Sequence, residues 1–157
     1  MFEKLKDKLL TVVRTQEEVQ QEVEKKFPYE YKDVPGFTLT LTQPKVWLLD
    51  EKDQVELSVD VCVKVLLIGE YHGHIRLRGE LAYDRENKRI VLNNPELIRL
   101  DIPDLAEKWK ATSQHILSVI IKTHLHELFC YPMPDGLVYS MVKSLKVENK
   151  ELKIAFA

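Results

Sequence analysis

The stretch HLHELFC sets His126 and Cys130 four residues apart. On a helix that spacing puts two side chains on one face, as in the zinc-binding H-E-x-x-H pattern with its second His replaced. Two ligands are half a zinc site, because Zn2+ takes at least three protein ligands. His115 lies on the same face, but a rise of about 1.5 Å per residue puts it roughly 16 Å from His126, too far to close the site. His124 falls in the apolar stripe between Ile121 and Leu128. There a histidine bonded to backbone is the structural expectation, and a polar anchor at the end of a ligand tube is the functional one. His72 and His74 alternate along a strand and point the same way, as two chelating residues would. With Lys64 expected across from His74, a solvated face is the better reading of that pair. The five glycines form neither a phosphate-cradling loop nor a G-x-S-x-G elbow. No metal, cofactor or enzymatic activity is therefore expected; the half-site at His126 and Cys130 is an enzyme's only foothold.

The elements that would position these residues can be read from periodicity. Phe2, Leu5, Leu9, Val12, Gln16, Val19, Val23 and Lys26 follow at spacings of three and four, which predicts an amphipathic N-terminal helix within residues 1–27. Its early lysines allow a peripheral membrane contact as a secondary role. An antiparallel sheet is expected over residues 37–100. FTLTLTQPKVWLL alternates until Gln43-Pro44-Lys45, where a proline demands an edge or a bulge. VELSVDVCVKVLL, residues 55 to 67, keeps an apolar residue at every odd position, and YHGHIRLRGELAY forms the next strand. A three-residue loop with Gly69 in its left-handed position makes paired residues sum to 138, so that Val61 faces Leu77, Asp60 faces Arg78 and Lys64 faces His74. Gly73 and Gly79 then lie on the inner side, where they leave room or permit a bend. RIVLNNPELIRL completes a four-stranded meander, interrupted at Asn93-Asn94-Pro95. The period then changes to that of a long helix over residues 104–129, with Asp104 as N-cap. A short second helix and a closing hairpin turned at Asn149-Lys150 fill residues 136–157.

Bulk properties narrow the function classes. The 157 residues, 45% hydrophobic and 31% charged, suit one compact α+β domain. A net charge of −2 and the lack of a basic stripe argue against nucleic acid. The longest apolar run, Val65 to Ile68, is too short to span a bilayer, and MFEKLKDKLL lacks the pattern of an export signal.

KKFPYE, VPGFTLTLTQPKV, LAYDRENKRIVLNNPEL and SLKVENKELKI together make the chain resemble the YceB-like family of bacterial envelope lipoproteins, from Phe27 onward. That family looks like a small relative of the tubular lipid-binding (TULIP) superfamily, in which a sheet wraps around a long helix and leaves an apolar tube. The resemblance implies a TULIP-like half tube, lipid or fatty-acid-like ligands and the periplasmic side of the envelope; the N-terminus, without a signal peptide or lipid-attached cysteine, points instead to the cytoplasm. The expected lining is Leu39, Leu41, Leu57, Val59, Val61, Val63, Ile75 and Leu77 from the sheet, with Trp109, Ile116 and Ile120 from the helix, and His124 as polar anchor. The competing expectation is an interaction or scaffold module with a filled core, because valines at strand spacing ordinarily just build a core.

Overall fold

The computed structural model describes residues 11–50, 53–123, 130–132 and 142–156. The chain order is β1 (Thr11–Thr15), α1 (Gln16–Glu24), β2 (Tyr29–Val34), β3 (Phe37–Leu49), β4 (Gln54–Val65), β5 (Gly69–Asp84), β6 (Arg89–Asp101), α2 (Glu107–Thr123), β7 (Cys130–Pro132), β8 (Val142–Glu148) and β9 (Glu151–Phe156). Strands β2 to β7 form a curled six-stranded antiparallel sheet in sequence order, and β1, β9 and β8 form a second, three-stranded sheet in that order. The class is α+β and mostly sheet.

The layout departs from the sequence expectation at its start. Residues 1–10 of the expected N-terminal helix lie outside the described residues, and Thr11–Thr15 is a strand, with Val12 opposite Ile154 on β9. The β-branched Thr-Val-Val run favours the pleated partner. A capping box then starts the helix at once: the Thr15 hydroxyl accepts the Glu18 N–H at 3.2 Å, and the Glu18 carboxylate accepts the Thr15 N–H at 3.2 Å. Helix α1 buries Val19 and Val23.

The meander has an extra strand on either side. Strand β2 covers the first half of β3, with Tyr29 opposite Leu41, and β7 pairs Cys130 with Val91 on β6. Beyond Leu41 the free margin of β3 meets α1 rather than another strand. A bulge between Thr42 and Lys45 places Gln43 at φ 50°, as the proline there required. Across it, the Gln20 side-chain amide donates to the Pro44 carbonyl at 2.6 Å and accepts the Val46 N–H at 2.7 Å, while Gln16 accepts the Leu48 N–H at 3.0 Å.

The β4–β5 register is four lower than expected. Pairs sum to 134, so Val61 faces Gly73, Leu57 faces Leu77, Asp60 faces His74 and Lys64 faces Glu70. The loop is Leu66-Leu67-Ile68, closed by the Ile68 N–H on the Val65 carbonyl at 3.0 Å, and Leu67 at φ 67° takes the left-handed position expected for Gly69. An even shift leaves every side chain on its expected face. The room expected at Gly73 is also taken, because a Cβ there would come within 2.2 Å of the Asp101 carbonyl oxygen and 2.7 Å of the Ile102 Cα. Gly73 permits a close crossing of backbones.

Helix α2 begins at Glu107, later than expected, with the Trp109 and Lys110 N–H groups both donating to Ala106. Asp104 is not its cap but sits in the preceding turn at φ 67°, a conformation aspartate tolerates. Residues 124–129 lie outside the described residues. So do residues 133–141, and with them the first part of the expected second helix, from 136; its remainder, from Val142, is strand β8. Leu145, Lys146 and Val147 follow the period of two that β9 requires. The Asn149-Lys150 hairpin forms as expected, with φ of 53° and 59°.

Candidate functional site

Ten of the eleven expected lining residues are almost fully buried. Leu39, Leu41, Leu57, Val59, Val61, Val63, Ile75, Leu77, Ile116 and Ile120 are each 0–3% exposed and belong to one apolar cluster. Trp109 is half-buried at its margin, stacked on Phe37 with ring centroids 6.3 Å apart. The same cluster holds Val19 and Val23 of α1 and Leu152 and Ile154 of β9, which sequence periodicity did not bring to the sheet's inner face.

The two helices are held differently. Helix α1 is pinned to β3 by the amides of Gln16 and Gln20. In α2 the hydroxyls of Thr112, Ser113, Ser118 and Thr123 bond back to carbonyls four residues earlier, at 2.6–3.2 Å. Its contribution to the cluster is apolar: Ile116, Leu117 and Ile120.

Phe37 and Val65 of the core cluster also border a surface groove at one end of the sheet. An open groove of about 950 Å3 runs between the β2–β3 and β4–β5 turns, lined by Val34, Pro35, Phe37, Val65, Leu66, Leu67 and Ile68, with Lys32, Lys64 and Glu70 among its polar residues. Phe37 is shared by the groove and the Trp109 stack. Leu67 is 98% exposed, and Leu66 and Ile68 are exposed beside it. Three consecutive aliphatic side chains in water at a hairpin tip are unusual for a soluble surface. The signal in the sequence was the break in alternation after Val65.

Polar chemistry gathers on the outer face of β4 and β5. The Ser58 hydroxyl lies 2.6 Å from His74 Nε2, and His74 Nδ1 lies 3.2 Å from the Asp60 carboxylate. These are the contacts of a Ser-His-Asp relay, but Ser58 is 6% exposed on a strand flanked by β3 and β5. Its oxygen is not presented to a substrate carbonyl, as nucleophilic catalysis requires. The relay orders the strand face. Glu56 accepts from Arg78 at 3.1 Å next to it.

Nearer the groove, the Cys62 thiol donates to Glu70 Oε1 at 3.2 Å, and His72 Nε2 is 3.4 Å from the same oxygen. Burial first, and the neighbouring Glu70 carboxylate second, push the Cys62 thiol up to about 11. Sequence spacing missed this cluster because it needs the true register. Of the expected polar anchor and half-site, His124 and His126 lie outside the described residues, while Cys130 stands in strand β7 rather than on a helix. His115 is exposed on α2.

A family profile described as Protein of unknown function (DUF1439) matches residues 14–151. No curated protein matches the chain. Among solved structures, the chain is similar to P47 of Clostridium botulinum E1, with 11% sequence identity and a TM-score of 0.47 over 82% of this chain. It spans 36% of that protein's length.

Proposed function

The chain belongs to the DUF1439 family, and from that premise and the geometry above we propose that it is a non-enzymatic binding protein for a lipid or other elongated apolar ligand, held between the curled sheet and α2. What carries this reading is that Phe37 lines the groove, stacks on Trp109 and belongs to the apolar cluster of the sheet's inner face. Helix α2 contributes Ile116, Leu117 and Ile120 to the cover of that face. An acyl chain entering beside Phe37 would replace part of an aliphatic cover with another aliphatic cover, so the sheet exchanges one apolar neighbour for another. The chain itself gains about 0.8 kcal/mol for each methylene removed from water. Helix α2 is the element suited to give way, because its hydroxyl groups bond within the helix while α1 is tied to β3 by side-chain amides. The exposed aliphatic tip at Leu66-Leu67-Ile68 would meet the ligand's source.

The TULIP-like tube and an envelope location belong to the same proposal and rest on the resemblance noted from the sequence. A second reading, an interaction module with a filled core, is favoured by one observation, the 0–3% exposure of the ten inner residues. Mass spectrometry of organic extracts from the purified native protein, with titration by a fluorescent fatty acid, separates the two. The proposal expects co-purifying lipid or saturable uptake that Phe37→Asp weakens. An empty extract together with no uptake would leave the filled-core module.

A further inference from the structure

The β4–β5 register brings together three metal-binding side chains that a register summing to 138 would have kept apart. Pairing sums of 134 set Cys62 directly opposite His72, with Glu70 two residues before it on the same face of β5. The sulfur, one imidazole nitrogen and one carboxylate oxygen all lie within 4.8 Å of one another. Two of their separations, 3.2 Å from sulfur to oxygen and 3.4 Å from nitrogen to oxygen, are close to those a tetrahedral zinc ion imposes. Bonds of about 2.0–2.3 Å at tetrahedral angles put ligand atoms roughly 3.3–3.6 Å apart.

We propose that Cys62, Glu70 and His72 form a surface site for a zinc-class divalent cation, with its fourth position open to solvent or to an exogenous ligand. The donor set selects the ion: a thiolate and an imidazole favour Zn2+ or Co2+ over Mg2+ and Ca2+, which take oxygen ligands almost exclusively. Binding replaces the S–H bond of Cys62 with a sulfur–metal bond and releases the proton to solvent; no electron changes hands. The carboxylate of Glu70, which now takes the thiol proton's hydrogen bond, becomes a ligand. Lys64 faces Glu70 across the strands and opposes the ion, while Asp60 and His74 form the next row of the same face. Glu70 also lines the groove, so a bound ion would stand at its rim. This site stands independently of lipid binding.

Cobalt is the probe, added to the reduced full-length protein and displaced by zinc. The expected result is a tetrahedral cobalt spectrum with a thiolate-to-metal charge-transfer band. Cys62→Ser should remove the band, and His72→Ala and Glu70→Gln should each weaken binding by about tenfold or more. Cys130→Ser should change nothing. His72 and Glu70 are largely exposed, so their variants test the site even if Cys62→Ser misfolds. Absence of cobalt binding, binding without the thiolate band, or a band that survives Cys62→Ser and disappears with Cys130→Ser would overturn the assignment.

Discussion

Leu67 occupies a backbone conformation, φ 67°, that an L-residue adopts at a cost of roughly 1–2 kcal/mol, and it does so with its side chain 98% exposed. Nothing in the fold offsets that strain by burying the leucine, so Leu67→Gly should raise stability by about 1 kcal/mol in urea denaturation. If the tip meets the apolar ligand, the same substitution should slow uptake of a fluorescent fatty acid from vesicles. Cys62 differs from an ordinary surface thiol. Its shift from 9.0 to about 11 leaves about 100-fold less thiolate at pH 7–8 and about 50-fold less at pH 9. Because the thiolate is the nucleophile, iodoacetamide should label Cys62 about 100-fold more slowly than an unperturbed cysteine between pH 7 and 8, and the rate should climb until about pH 11. Peptide mapping by mass spectrometry resolves it from Cys130.

At the scale of elements, side-chain amides do the work that a neighbouring strand does elsewhere. The β3 margin opened by Pro44 has its carbonyl and the Val46 N–H satisfied by Gln20. Gln20→Ala would leave that part-buried N–H unpaired, and the expected loss is about 1–3 kcal/mol, measured as a lower urea midpoint with an unchanged slope. The crossing of β5 and the end of β6 is tighter. A Cβ at Gly73 would overlap backbone at Asp101 and Ile102, whereas one at Gly79 would meet the Leu92 Cβ at 3.1 Å and the Asn93 carbonyl oxygen at 3.3 Å. Gly73→Ala should therefore cost about 3 kcal/mol or more, and Gly79→Ala clearly less. Thermal unfolding of the two variants side by side checks the order.

For the molecule as a whole, the two sheets share one apolar cluster, and two carboxylates join them at the surface. The Asp53 carboxylate accepts the Val147 N–H at 2.8 Å, and Asp50 accepts the Lys150 N–H at 2.9 Å, so the turn after β3 grips the β8–β9 hairpin. These contacts link residues 94 and 100 positions apart in the chain. Asp53→Ala would leave the Val147 N–H unpaired, at a cost of about 1–3 kcal/mol. Hydrogen exchange should then speed up in β8 and β9 while β4 and β5 keep their protection. Uniform acceleration throughout would instead mean that the sheets open as one unit.

Alternation at Leu39, Leu57, Val59 and Ile75 was sufficient to assign strands and faces, because a period of two fixes which side of a sheet a residue takes. The Asn149-Lys150 turn was equally legible, since two consecutive left-handed residues suit few other sequences. Register was not legible. The faces are identical in registers that differ by an even number, and only the closed loop at Leu66-Leu67-Ile68 selects 134 over 138. The cluster of Cys62, Glu70 and His72 followed that choice out of sight. Helical spacing through Val12 also misled, because Thr11–Thr15 gains a strand partner far away in the chain, with Val12 opposite Ile154, and pairing across such a distance leaves no periodic trace in the local sequence. Local chemistry therefore determined the elements and their apolar faces. Tertiary contacts decided which polar residues meet, because meeting depends on register and on backbone crossings, such as the one at Gly73, that no local pattern encodes.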